Sequence, residues 1–249
     1  MIKKNHAGFT LEQHEHSRSR RAVAFGEGGF TLIELLVVIA IIATIAAFAV
    51  PALTSALTKG QMTGTMNNAR QLYLAGYQMA LDGAANSDAN LGWPGDYASG
   101  VTTLKDYVEK LVQNDYLKAS DLPKLLSAPG ASCTATGTTT TPIAVTLSGT
   151  SGLKVYPLTS ADASNVIFAV TSNYTYDTAF TGTPPNPYGD KGFVVVRKGG
   201  DASVLRKNNA AASSGATGTA AFESTVGKKP AEAQGTVTPG DPSNTLKQP

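Results

Sequence analysis

Residues 30–50 read FTLIELLVVIAIIATIAAFAV, 21 residues carrying one charge, Glu34. At ~1.5 Å rise per residue this run makes a helix about 31 Å long, which matches the ~30 Å hydrocarbon core of a bilayer. Apolar residues occupy every side of that helix rather than one stripe, so it has no polar face to turn to water. A secretory signal peptide has a shorter apolar core, about 7–15 residues, followed by small residues at its cleavage site. Here the run is longer, and the small pair Gly28-Gly29 stands before it.

The flanks set an orientation. Residues 1–29 are polar and hold Lys3, Lys4, Arg18, Arg20 and Arg21 against Glu12, Glu15 and Glu27. That surplus is the whole excess of the chain, which has 20 Lys and Arg against 18 Asp and Glu. Basic residues before a span stay cytoplasmic, so the chain beyond it is expected across the membrane. The body is neutral by count, which gives no electrostatic ground for tight binding to nucleic acid. Charged residues make up 15% of the chain, low for a compact enzyme of 249 residues.

Past the apolar run the helical pattern continues. Pro51 removes a helical N–H and crowds the preceding turn, so a kink or local opening is expected there. Leu53, Leu57, Met62, Met66, Ala69, Tyr73, Gly76 and Ala80 then recur at helical spacing and form one apolar stripe. Gly60, Gly64 and Gly76 weaken the helix, and Gly83 is expected to cap its end. A helix over residues 30–82 would be about 80 Å long at ~1.5 Å per residue, so its first half is expected to project from any domain of this size.

The remainder mixes patterns. Residues 84–100 carry the turn signals Asn86, Trp93-Pro94-Gly95-Asp96 and Gly100. The spacing predicts a short helix over Leu104–Leu117 and another helical turn opening at Asp121-Leu122-Pro123. Residues 131–152, rich in Thr, Ser and Gly, read as an exposed loop or weak hairpin. Val166–Val170 reads as a buried strand, and Phe193–Arg197 with Ala202–Arg206 flank the hairpin signal Lys198-Gly199-Gly200-Asp201. Residues 208–249 have Phe222 as their one aromatic residue and an Ala, Ser, Gly, Thr and Pro-rich composition, so they are expected to be disordered. The expected organisation is a leader (1–29), a membrane-spanning helix half (30–51), an α+β domain (52–207) and a low-complexity tail (208–249).

The segment Gly29-Phe30-Thr31-Leu32-Ile33-Glu34, followed by unbroken apolar residues, closely resembles the class III signal of type IV pilins and type II secretion pseudopilins. The resemblance covers about residues 28–82. It implies that a membrane aspartyl peptidase cuts between Gly29 and Phe30 and methylates the new N-terminal Phe30. The family's glutamate and proline fall here on Glu34 and Pro51, which implies roles for both in assembly. A carboxylate inside an apolar span costs ~2.5–3.5 kcal/mol on insertion scales, so it needs a reason. Attraction to the α-amino group of Phe30 on a neighbouring subunit supplies one, because opposite charges act strongly in a low dielectric. The plain alternative is that Glu34 reaches to the headgroups. A second copy of part of the motif, Gly8-Phe9-Thr10-Leu11-Glu12, is followed by Gln13, His14, Glu15 and His16 and cannot place a helix in a membrane.

The implied fold is α+β and pilin-like: a long N-terminal helix packed by its second half on a small antiparallel sheet. The implied partners are the prepilin peptidase, further copies and other pseudopilins or pilins, an inner-membrane assembly platform, and the membrane itself. The implied location is a single pass through a bacterial inner membrane with the C-terminal domain periplasmic. No catalytic cluster is legible, since His6, His14 and His16 all lie in the leader and Cys133 is the single cysteine. No cofactor is expected. Asn186-Pro187-Tyr188 is similar to a segment beside the calcium site of major pseudopilins, which makes Asp190 and Asp201 weak calcium candidates, although calcium takes six to eight oxygen ligands. Type IV pilins often carry a C-terminal disulfide, which one cysteine cannot form, so the reading leans to a type II secretion pseudopilin. A type IV pilin or minor pilin is the first alternative, and a single-span anchored binding domain is the second.

Overall fold

The computed structural model describes residues 29–97, 100–138, 142–181, 187–213 and 218–248. The leader through Gly28, with the second motif copy and the three histidines, lies outside the described residues, as does Asn186. The chain divides into two compact units, one ending at Ala49 and one beginning at Val50.

Helix α1 spans Leu32–Asn86 and runs unbroken through Pro51, so the local opening expected there is not found. Within the second unit its buried face comprises Met62, Thr65, Ala69, Leu72, Tyr73, Ala75, Gly76, Met79 and Gly83. The expected stripe is therefore right from Met62 onward, whereas Leu53 and Leu57 are exposed. Gly83 is not the cap. It is buried inside the helix, and a Cβ there would stand 2.0 Å from the carbonyl oxygen of Leu91. The turn is made instead by Ser87 at φ 54°, with the Asp88 N–H donating to the Gly83 carbonyl at 3.0 Å. Gly76 likewise seats a neighbour: a Cβ there would lie 2.3 Å from the Tyr107 hydroxyl.

Helix α2 (Leu104–Gln113) starts with a capping box in which Thr103 and Asp106 satisfy each other's backbone N–H. It buries Leu104, Tyr107, Val108, Leu111 and Val112. It ends four residues before the expected Leu117, where Asp115 turns the chain at φ 62°. Helix α3 (Leu122–Leu126) forms where Asp121-Leu122-Pro123 predicts it, with Pro123 in its first turn. Strands β1 (Cys133–Gly137) and β2 (Val145–Gly149) make an antiparallel hairpin that buries Cys133, Val145 and Leu147 against the α1–α2 core.

The main sheet is an antiparallel meander in the order β3 (Leu153–Val155), β4 (Ile167–Thr171), β5 (Phe193–Arg197) and β6 (Ala202–Leu205). Every residue of β4 and β5 is buried. Alternate side chains point to opposite faces, so both faces of the sheet centre must be covered. One face packs Phe168 and Val196 against Tyr73, Trp93 and Tyr107 of the helical layer. The other packs Ile167, Val170, Phe193 and Val195 against Tyr174, Tyr176, Phe222 and Val226.

That second cover corrects the expectation of a disordered tail. Residues 218–225 form helix α4 (Gly218–Thr225), and Phe222, Val226 and Leu246 are buried. Leu246 bridges Val155 with two backbone hydrogen bonds of 2.9 Å, and the Ile167 N–H donates to the Lys228 carbonyl at 2.8 Å. Arg197, buried on β5, donates from Nε to the Val226 carbonyl at 3.1 Å, and its guanidinium also holds the Thr225 carbonyl and Asp201. A cation thus sits on the C-terminal carbonyls of α4, where the helix dipole favours it. Low apolar content did not leave the segment free, because a few apolar side chains and these polar ties suffice when a two-sided sheet needs a lid.

The packing of this layer can be tested by truncating its central ring. Phe222 meets Tyr176 edge-on, with ring centroids 5.5 Å apart, so Phe222→Ala should cost about 3–5 kcal/mol in denaturant unfolding; an unchanged midpoint would return the tail to a dispensable role. Alkaline stability offers a second measurement. Burial pushes the Tyr97 phenol up to about 12 and raises Tyr107 and Tyr156 well above 10. The folded state therefore holds protons that the unfolded chain releases near pH 10, so this stability is complete below that pH and is lost as pH rises toward 12 and beyond. Phenolate absorbance of these side chains should emerge together with loss of circular dichroism; full ionisation with the dichroism intact would contradict it.

Candidate assembly segment

The segment begins with Gly29 and Phe30 outside regular structure, both exposed. Phe30 is 83% exposed. Helix α1 starts two residues later, and its start is built by Thr31 and Glu34. The Thr31 N–H and hydroxyl both donate to one Glu34 carboxylate oxygen at 2.8 Å, while the Glu34 N–H donates to the Thr31 hydroxyl at 3.2 Å. This is a reciprocal capping box, with Thr31 as N-cap and Glu34 three residues on. The carboxylate also stands at the positive end of the helix dipole.

Thr31 is the residue that sequence reasoning missed. The signal was present, since Thr with Glu three places later, just ahead of an apolar run, is a helix-start pattern. Glu34 accordingly has a bonded role inside its own chain, beyond the two roles that its position alone suggests.

Beyond the cap, Leu32, Ile33, Leu35, Leu36, Ile39, Ile42, Ile45 and Phe48 are all exposed. Among the described residues, α1 is the one helix long and apolar enough to cross a membrane. Two of its threonines close on its own backbone: the Thr44 hydroxyl donates to the Ala40 carbonyl at 2.8 Å, and the Thr54 hydroxyl to the Pro51 carbonyl at 2.9 Å. Pro51 has no N–H to give the Ala47 carbonyl one turn back.

The calcium candidates fall elsewhere and are each held by a cation. Asp190 pairs with Lys207 at 3.0 Å, which lowers its pKa, and Asp201 pairs with Arg197. Among the described residues no group of three or more His, Cys, Asp or Glu side chains is brought together.

The family described as "Prokaryotic N-terminal methylation motif" matches residues 25–50. The N-terminal segment is therefore similar to the prepilin-type methylation segment and to part of type IV major fimbrial proteins. A type IV major fimbrial protein FimA of Dichelobacter nodosus is 38% identical over 65 residues, covering 26% of this chain and 42% of that protein. A second FimA of the same organism is 37% identical over 67 residues, covering 27% of this chain and 43% of its own length. The chain thus spans less than half the length of the fimbrial proteins it matches. No solved structure matches it. The pilin-like likeness and the capped, all-round apolar helix coincide in residues 29–50.

The capping box yields a prediction. Thr31→Val keeps the apolar span but removes the hydroxyl, which should destabilise the helix start by about 0.5–2 kcal/mol. Amide hydrogen exchange of the first turn of α1 in micelles should quicken, and unchanged protection there would show that the cap contributes nothing.

Proposed function

We propose that the chain is a fibre subunit, cut between Gly29 and Phe30, methylated on Phe30, and assembled through the helix that begins there. The observation carrying this reading is that the first part of α1, residues 32–50, is apolar on all sides and has one carboxylate, Glu34, in its first turn. Such a helix is stable in a bilayer, and equally among other copies of itself. After the cut, the positive α-amino group of Phe30 and the carboxylate of Glu34 are the only charges in the segment. Opposite charges attract strongly in an apolar surrounding, so the amine of one subunit facing the carboxylate of the next sets the axial register. Contacts of this head-to-tail kind repeat into an open filament when the rotation does not close. Pro51 supplies a weakened point in the ladder where the helix can adjust as it packs.

The peptidase, the inner-membrane assembly platform and other pilin-like subunits are the partners this reading implies. The single pass leaves residues beyond 51 periplasmic. Two machines use such subunits. The single cysteine, which cannot form a C-terminal disulfide, favours a type II secretion pseudopilin; the fimbrial relatives favour a type IV pilin. Loss of the gene decides between them: missing exported proteins with normal surface fibres marks secretion, and missing surface fibres marks a pilus.

Mass spectrometry of the mature protein should give an N-terminus of methylated Phe30, and replacing Gly29 should leave full-length protein in the membrane. Glu34→Ala should be inserted and cut yet join fibres poorly. Mature chains starting elsewhere, or wild-type fibre from the Glu34 variant, would sink the proposal.

A further inference from the structure

A cavity of about 450 Å³ opens between the β2–β3 connection, β3 and the last residues of the chain. Small-molecule sites fall at about 300–1,000 Å³. Its wall includes Thr150, Ser151, Lys154, Thr175, Asp241 and Lys247. The charged groups are the unusual part. The Lys154 side chain is 6% exposed and pairs with Asp241. Asp241 is shared: its other oxygen accepts the Tyr156 hydroxyl at 2.6 Å and the Tyr176 N–H at 3.1 Å. Lys247 is exposed at the rim. Among the described residues, the cavity wall therefore holds two ammonium groups against one carboxylate. An ammonium has three donors, and among the described residues Asp241 is the one acceptor placed on Lys154.

We propose that this cavity binds a small oxyanion, a carboxylate or phosphate group, between Lys154 and Lys247, with the threonine hydroxyls of the wall donating to it. The anion faces the second ammonium, which among the described lining residues Asp241 alone cannot balance. It also meets the cost of the buried lysine: burial pushes the Lys154 pKa down, Asp241 opposes that, and the charge of Lys247 adds to it. A bound anion would offset both unfavourable influences. The site is made by the C-terminal residues crossing β3, so it exists only when that segment is in place. The inference rests on the cavity alone and is independent of the fibre reading.

The test is calorimetric titration of the full chain, in a non-ionic detergent free of sugar, with inorganic phosphate, galacturonate and galactose. Binding of phosphate alone assigns a phosphate site, and binding of galacturonate alone assigns a carboxylate site selective for its carrier. Galactose, which has the ring without the charge, should not bind. Lys247→Gln, at an exposed position, should weaken the bound anion about tenfold, as expected for one charge-assisted hydrogen bond. Lys154→Met should abolish binding; if that variant is unfolded by circular dichroism, Lys247→Gln alone decides. No heat with either anion at millimolar concentration, or unchanged affinity in a folded Lys247→Gln variant, overturns the proposal.

Discussion

Two adjacent strands with no solvent-exposed side dictate most of this architecture. β4 and β5 bury every residue, so the sheet they form needs a layer on each face. α1 and α2 provide one, through Tyr73, Tyr107 and the residues around them. The other is completed by the C-terminal segment, with Phe222 and Val226 joining Tyr174 and Tyr176 over the sheet. Its aromatic contacts are close: Tyr174 stacks on Phe193 with ring centroids 3.9 Å apart. The glycines at 76 and 83 belong to the same requirement, since each removes a side chain so that α2 or the loop at Leu91 can approach α1.

The C-terminal layer is poor in apolar residues and is held by buried charge. Arg197 reaches from the sheet to the last carbonyls of α4, and Lys154 reaches from β3 to Asp241. Breaking a buried pair by removing one partner leaves an uncompensated charge in low dielectric, which costs more than the pair itself contributes. The pairs therefore specify where the segment lies, while Phe222, Val226 and Leu246 supply the burial. Glu34 obeys another logic at the far end of the chain, where its carboxylate is satisfied by the N–H and hydroxyl of Thr31.

The long helix, the β5–β6 hairpin and α3 are legible in the sequence because each rests on local signals: periodicity from Met62 onward, Gly-Gly in a turn, Pro123 in a first turn. The tail is not legible from its composition, which resembles unstructured chain. The clue lies elsewhere, in Val166–Val170 and Phe193–Val196. Unbroken apolar runs in antiparallel strands imply a second covering layer, and Phe222 and Val226 join it. Gly83 misleads for a similar reason. Its lack of a side chain serves Leu91, across the turn, rather than the backbone of the turn itself, and a linear reading meets the turn first. Thr31 is legible as a helix start, but the charge of Glu34 in an apolar span points first to other subunits and hides the local bond.

The bridge between Leu246 and Val155 closes one border of the main sheet. Unpaired strand borders recruit other chains, and the hazard grows with local concentration. Chains that gather through an exposed apolar helix hold their folded parts at high local concentration. By folding its own last residues along β3, the chain withdraws that border from competition. Among the described residues β6 pairs with β5 alone, so it is the border on which backbone pairing between crowded copies would begin.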